Sequence, residues 1–355
     1  MAKGWCTLGM LLLGTVSSSA APAEKTAVDK AVDSALSFLQ RTQETSGAWR
    51  GGPRNPPNAA ITSLSVMAFL SAGHVPGEGR YGKTVEKGIE WVLRQQKPNG
   101  LIASEGGSYE MYHHGISTLM LAEAAGMTNS KLGDEIRLKL ENAVELILKA
   151  QRTSSRYGHG GWRYHVDAQL DYPQSTDLSV TGWQLMALRA SKNLGCDVPA
   201  ERIDWAVDYV KRCRDDATGG FRYDPGKMPT LGCTGTGILA LELCGKERHR
   251  APEALKAGSY LIKNPPRWGQ SHFFYNVYYG SQATFQLGGN YWSIYRPHLH
   301  QVLIDNQNRN GSWLGADGAS AIYGSNYCTA MGVLALTVEY RFLPIYQRGE
   351  DTTEP

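Results

Sequence analysis

Few side chains of this sequence stand in a pattern that could do chemistry, and Asp177 is the first of them. It follows Ser175 and Thr176 and precedes an apolar run that starts at Leu178, a place where a carboxylate either caps a helix or moves a proton. His113 and His114, beside Tyr109 and Tyr112, open another such run. A histidine there is a proton carrier or a hydrogen-bonded part of the frame. Cys233 and Cys328 fall at corresponding points of two further runs, as buried packing residues or as thiols that lack an adjacent activating base. Phe273, Phe274, Tyr275, Tyr278, Tyr279, Phe285, Tyr291, Trp292 and Tyr295 crowd one short stretch. Such rings could hold an isoprenoid or a carbocation against their faces, or stack on a sugar.

The elements that must position these groups repeat along the chain. In the first unit Val28, Val32, Leu36 and Leu39 share one helical face, whereas Asp29, Lys30, Asp33 and Arg41 fall elsewhere, which predicts a helix with one side in water. The following run, Ile61 to Leu70, is apolar all round apart from small hydroxyl residues and needs cover on every side. Six units of this kind, an outer helix, a Gly-rich turn and an inner helix, predict an all-α array. The outer helices end in a shared pattern. Phe38-Leu39 leads to Gln43, Gly47 and Trp49; Trp91-Val92 to Gln96, Gly100 and Ile102; Leu146-Ile147 to Gln151, Gly160 and Trp162; Val302-Leu303 to Gln307, Gly311 and Trp313. Gln is expected to satisfy carbonyls at its own helix end, Gly to supply the left-handed exit, and Trp to fill the wedge between hairpins.

Aligned on Ala68, Ala187, Ala240 and Ala335, the inner helices place Thr62, Thr181, Thr234 and Thr329 at one position, with His114 at the equivalent place in the second unit. If six inner helices stand in a circle, these residues form a crown at one mouth, lining a cavity. Asp177 and His114 are then the candidate catalytic residues. Thr181, Trp183, Cys233, Tyr275, Tyr278 and Tyr279 are the candidate ligand contacts, and the helix N-termini are expected to keep Asp177 ionised.

Residues 1–23 read as a secretory leader: Lys3 supplies the positive start, Trp5 to Val16 is an apolar run too short to span a bilayer, and small residues follow. The expected destination is the periplasm or the exterior. Residues 24–348 are expected to form one domain and 349–355 a disordered tail. Scattered charges, 36 basic against 33 acidic for a net +3, give no basic block for nucleic acid, and no later run predicts an integral membrane protein. Five cysteines remain after the leader, without Cys-x-x-Cys spacing, so neither a disulfide scaffold nor a zinc site is expected. Cys196 with Cys213 is the pair to test first.

The recurring Gln-x-x-x-Gly-x-Trp run, preceded by an aromatic-aliphatic pair, resembles the repeat of squalene-hopene and oxidosqualene cyclases and of protein prenyltransferase β subunits, from Val28 to Tyr346. The resemblance implies an α/α toroid of six helical hairpins and an apolar, isoprenoid-type small-molecule ligand in its central cavity. In the cyclases the proton donor lies in an Asp-x-Asp-Asp-Thr-Ala run. Here the matching stretch, Asp177-Leu178-Ser179-Val180-Thr181-Gly182, keeps only its first Asp, and neither Ser179 nor Val180 can hold a proton as a second carboxyl does. The prenyltransferase zinc needs Asp-x-Cys and a later His, whereas Cys233 follows Leu231, Cys328 follows Asn326, and the histidines come first. No metal or cofactor is therefore expected. A noncatalytic exported scaffold and a toroid that binds or cleaves polysaccharide are the alternatives.

Overall fold

The computed structural model describes residues 25–347, apart from 53–54, 106–108, 129–130, 155–157, 172–174 and 246–249. The leader expected over residues 1–23 and the tail expected over 349–355 lie outside the described residues.

Amphipathic and apolar helices alternate. The amphipathic set comprises α1 (Ala27–Thr42), α3 (Gly82–Arg94), α5 (Lys131–Ala150), α7 (Ala200–Arg212), α9 (Pro252–Lys263) and α11 (Gly289–Asp305). The apolar set comprises α2 (Ala59–Ser71), α4 (Glu110–Ala125), α6 (Leu178–Asn193), α8 (Leu231–Cys244), α10 (Phe273–Leu287) and α13 (Gly324–Leu336), the last preceded by the short α12 (Gly318–Ala321). A helix buried on every side needs neighbours on every side, and α2 leaves only Ala60 partly open. The apolar set accordingly closes on itself: α2 packs on α4, α4 on α6, α6 on α8, α8 on α10, α10 on α13, and α13 on α2. The amphipathic helices surround this ring, giving the α/α toroid of six hairpins. The one described sheet is a ribbon of β1 (Phe221–Arg222) and β2 (Pro229–Thr230) ahead of α8.

The Gly-x-Trp turns are clamps. Each indole is fully buried and donates to a carbonyl in the last turns of its own outer helix: Trp49 to Leu39, Trp162 to Ile147 and Trp313 to Leu303, each at 2.8 Å. Gln does not satisfy carbonyls of its own helix as expected: its amide bonds the glycine of the turn and the next unit. Gln43 Nε2 donates to the Gly47 carbonyl and to Thr84 in α3, both at 2.9 Å. Gln96, Gln151 and Gln307 repeat this toward Lys139 in α5, Arg202 in α7 and Ala31 in α1. Each amide thus ties one unit to the next, and the last of them ties the sixth unit to the first. Glycine lets the turn approach closely enough: at Gly47 (φ +98°) a Cβ would lie 2.2 Å from the Lys87 carbonyl oxygen, and at Gly311 (φ +90°) 2.2 Å from that of Ser34.

The crown residues complete the clamp. Thr62 Oγ1 accepts the Trp49 N–H at 2.9 Å, Thr181 that of Trp162 at 3.1 Å, Thr234 that of Phe221 at 3.0 Å, and Thr329 that of Trp313 at 3.1 Å. In the second unit His114 Nδ1 accepts the Ile102 N–H at 3.1 Å. All five side chains are fully buried. This corrects the expected crown around a cavity: the shared position serves the backbone of the preceding turn.

Trp49→Ala and Trp313→Ala should each lower stability by about 3–5 kcal/mol through the cavity left at the wedge. Thr181→Val should cost about 1–3 kcal/mol because it strands the buried Trp162 N–H, and Thr181→Ser, which keeps an acceptor, should cost less. Urea unfolding measures all four, and equal midpoints for Thr181→Val and wild type would contradict the clamp.

Candidate functional site

All six inner helices start at one end of the ring, and the clamps decide what gathers there. Two residues beyond Trp162 stands Tyr164, whose carbonyl accepts the Met111 N–H at the start of α4 (2.9 Å). Two beyond Phe221 stands Tyr223, whose carbonyl accepts the Leu178 N–H at the start of α6 (2.7 Å). These bonds answer helix N–H groups that have no intrahelical partner, and they carry both phenols to the mouth, where the hydroxyls hydrogen-bond each other. The Arg163 guanidinium lies over the Tyr164 ring, 4.2 Å from its centroid, and 5.5 Å from that of Tyr223. Tyr109 and Tyr112 extend the surface, with centroids 4.3 and 6.1 Å from Tyr164. Tyr109 is half exposed and holds a left-handed backbone (φ 61°), a conformation that costs a non-glycine residue energy and is concentrated at functional sites. Burial raises the Tyr112, Tyr164 and Tyr223 phenols, so each keeps its proton and its donor.

Asp177 is at the mouth and fully buried. Its Oδ1 accepts the Val180 N–H at 2.8 Å, capping α6, and its Oδ2 accepts from Arg163 Nη1 at 3.1 Å. Burial pushes the carboxyl up to about 6, outweighing the Val180 N–H and the Arg163 charge that favour its ionised form. The expected hold of the helix N-terminus on its charge is therefore weaker than burial. With both oxygens engaged, Asp177 holds Arg163 and α6 in place.

The other candidates separate into frame and filling. His114 donates Nε2–H toward the Ala143 carbonyl at 3.0 Å while Nδ1 takes the Ile102 N–H, and burial lowers it to about 4. Neither nitrogen is left for a substrate, which corrects its expected catalytic role; Thr181 is likewise committed to Trp162. His113 is nearer the mouth, 3.1 Å from Ser104 Oγ. Burial pushes the Cys233 and Cys328 thiols up to about 12, far from thiolate at neutral pH.

Trp183 stacks on Tyr278 (centroids 5.4 Å apart, 12° between planes) and meets Tyr279 edge-on at 5.4 Å. Tyr279 is 4.7 Å from Tyr275 and 4.8 Å from Tyr278. Since α8 separates α6 from α10, rings that meet between those two helices cross the interior. Four of the six expected ligand contacts, Trp183, Tyr275, Tyr278 and Tyr279, are thus brought together, but on one another: they fill the axis where a cavity was expected. All five described cysteines are free. Cys196 precedes α7 and Cys213 follows it, so 13 residues of helix, about 20 Å, keep that pair apart.

Sequence reasoning passed over Arg163, Tyr164 and Tyr223. The signal was present: Gly160-Gly161-Trp162-Arg163-Tyr164 and Gly219-Gly220-Phe221-Arg222-Tyr223 repeat one motif in successive units. Among the described residues no cluster of His, Cys, Asp and Glu could hold a metal ion, and no helix is long and apolar enough to cross a membrane.

The family model for the prenyltransferase alpha-alpha toroid domain matches residues 4–164 and 156–339. No curated protein matches the chain. Among solved structures, an inactive variant of the α-1,6-mannanase GH76A of Salegentibacter sp. in complex with α-1,6-mannotriose is similar in fold, at TM-score 0.66, 12% identity, and coverage of 89% of this chain and 100% of that one. The type II terpene cyclase MstE from Scytonema is similar at TM-score 0.59, 14% identity, and coverage of 89% and 99%. A variant of the same cyclase with its geranylgeranyl dihydroxybenzoate substrate gives 0.57, 13%, and coverage of 89% and 98%.

Asp177→Ala should lower stability by about 2–4 kcal/mol, from the lost cap and the stranded guanidinium. Asp177→Asn, which keeps an acceptor for Val180, should cost clearly less. Chemical denaturation at pH 7 compares them; equal losses would show that the cap contributes nothing.

Proposed function

The chain belongs to the prenyltransferase alpha-alpha toroid family, and from that premise we propose that it binds a carbohydrate at the tyrosine-lined mouth of its ring. The observation that carries this reading is the division of the aromatic residues. Those on the axis are buried against one another, whereas at the rim Tyr109 is half exposed and packs on Tyr164, which with Tyr223 lies partly exposed against Arg163. An isoprenoid needs a closed apolar chamber, and Trp183, Tyr278 and Tyr279 occupy the place where one would lie. A sugar needs an apolar platform edged with hydrogen-bonding groups, which tyrosine supplies in one side chain.

Chemistry on the sugar has less support than binding. Hydrolysis of a glycosidic bond uses two carboxyl groups flanking that bond, and Asp177 has both oxygens committed to Val180 and Arg163. The GH76A mannanase was solved with α-1,6-linked mannose oligosaccharides, which supports the toroid as a carrier of such sites without assigning this chain's sugar. Export, as the leader proposes, would bring the mouth to extracellular glycans.

Binding of oligosaccharide panels to the mature protein, followed by calorimetry on a hit, tests this. Tyr109→Ala and Tyr164→Ala should each weaken binding at least about fivefold, the loss of one stacking contact. Co-purification of an isoprenoid lipid with no sugar bound, or conversion of squalene or oxidosqualene to a cyclic product, would overturn the proposal.

A further inference from the structure

At the end of the ring opposite the mouth, the chain closes its own barrel. Beyond α13, Thr337 Oγ1 bonds Ser71 Oγ at the end of α2 (2.8 Å). Two 3-10 turns follow, Val338–Tyr340 and Pro344–Tyr346, with Arg341 between them in a left-handed conformation (φ 55°). The second turn crosses the inner-helix ends. Ile345 N–H donates to the Glu123 carboxylate of α4 at 3.2 and 3.3 Å, the Tyr346 and Tyr278 hydroxyls meet at 3.1 Å, and Gln286 Nε2 reaches the Tyr346 carbonyl at 3.4 Å. Leu343, Ile345 and Tyr346 are buried. We propose that residues 338–347 are a releasable plug, latched to the barrel through Glu123, and that its release opens the far end of the toroid onto Tyr278 and the aromatic stack behind it.

Three observations make this segment a closure that can open. Its polar anchors are few, reaching Glu123 of α4, Tyr278 and Gln286 of α10 and, through Glu339 and Tyr340, Trp292 and Arg296 of α11 and Asp29 of α1, and none of them is a clamp that ties one unit of the ring to the next. The interior behind it is incompletely satisfied: Gln282 Oε1 and Tyr279 Oη are buried without a partner among the described residues. Gln282 cannot resolve this by turning its amide, since Nε2 already donates to the Leu334 carbonyl. Gln282 also lines a small void of about 10 Å³ beneath Val338, Leu343 and Tyr346. Buried polar atoms are usually paired, and opening this end would give Gln282 Oε1 and Tyr279 Oη a route to water that the closed plug denies them.

Glu123 supplies the latch. It is fully buried, and it accepts the backbone N–H of Ile345. The titratable groups facing it are Tyr278 of α10 and Tyr346 of the plug. Arg137 of α5 is turned to the Ala125 carbonyl at the end of α4, and among the described residues no charged side chain offsets the carboxyl. Burial pushes it from its ordinary 4.5 up to about 8. The closed plug therefore holds a proton that the open one releases. Closure is fully favoured below about 4.5 and loses ground progressively as pH rises to about 8, beyond which it changes no further.

Hydrogen exchange of the mature protein, with each rate divided by the intrinsic rate at that pH, reads the plug directly. Protection across 338–347 should fall at least about tenfold from pH 5 to pH 8, while amides of α2 and α4 hold theirs. Glu123→Gln keeps an acceptor for Ile345 N–H without the charge and should show no such slope. Tyr346→Phe, a milder change, should lower protection at every pH with the slope intact. A flat wild-type profile, a slope that survives Glu123→Gln, or loss of protection shared equally by α2 and α4 would each overturn the proposal.

Discussion

One hydrogen bond, from the backbone N–H of each clamp residue to a side chain early in the next inner helix, sets the conditions for the rest of the ring. An N–H in a tight turn joins no helical ladder, and once a tryptophan covers it, water cannot reach it. An acceptor must come from the side chain facing it. This is why threonine recurs at that place, and why the second unit has His114 there, with its neutral tautomer set by an N–H on one nitrogen and a carbonyl on the other. In the fifth unit Val277 stands at that register and has no acceptor. The turn is held instead by Trp268 against Phe273 and Phe274, at 5.0 and 5.9 Å.

Periodicity made the helices legible, and the Gln-Gly-Trp spacing made their order around a ring legible, because both are local and repeat. The purpose of the crown was not. Alignment places Thr62, Thr181, Thr234 and Thr329 at one register, but a register does not say whether a hydroxyl faces a cavity or a neighbouring backbone. The same limit applied to Trp183, Tyr275, Tyr278 and Tyr279. Their convergence followed from the topology, yet whether converging rings enclose space or remove it depends on side-chain volumes across the barrel. Arg163 and Tyr164 were readable as a repeated motif and were passed over because they sit outside the helices. The closing segment carries no repeat and left no such trace.

Burial governs the site's chemistry more than charge does. It lifts Asp177 in spite of a nearby guanidinium, lowers both histidines, and keeps the thiols and phenols protonated. What remains at the mouth is a set of neutral hydroxyls around the Arg163 guanidinium, which lies against two rings and is paired with the buried Asp177. That arrangement suits recognition of a neutral, hydroxyl-rich partner better than proton-driven chemistry.

The bond from Gln307 to Ala31 has a consequence for how the protein comes apart. A stack of hairpins with two free ends can fray from either end, one repeat at a time, since each repeat rests only on its neighbours. Here the sixth outer helix is stapled to the first through Gln307, and Gly311 lies against Ser34, so no hairpin is terminal. Losing any one removes two interfaces rather than one. The loops joining the units then become equivalent places to cut, and a circularly permuted chain, with old termini joined and new ones opened at another loop, would rebuild the same closed set of interfaces.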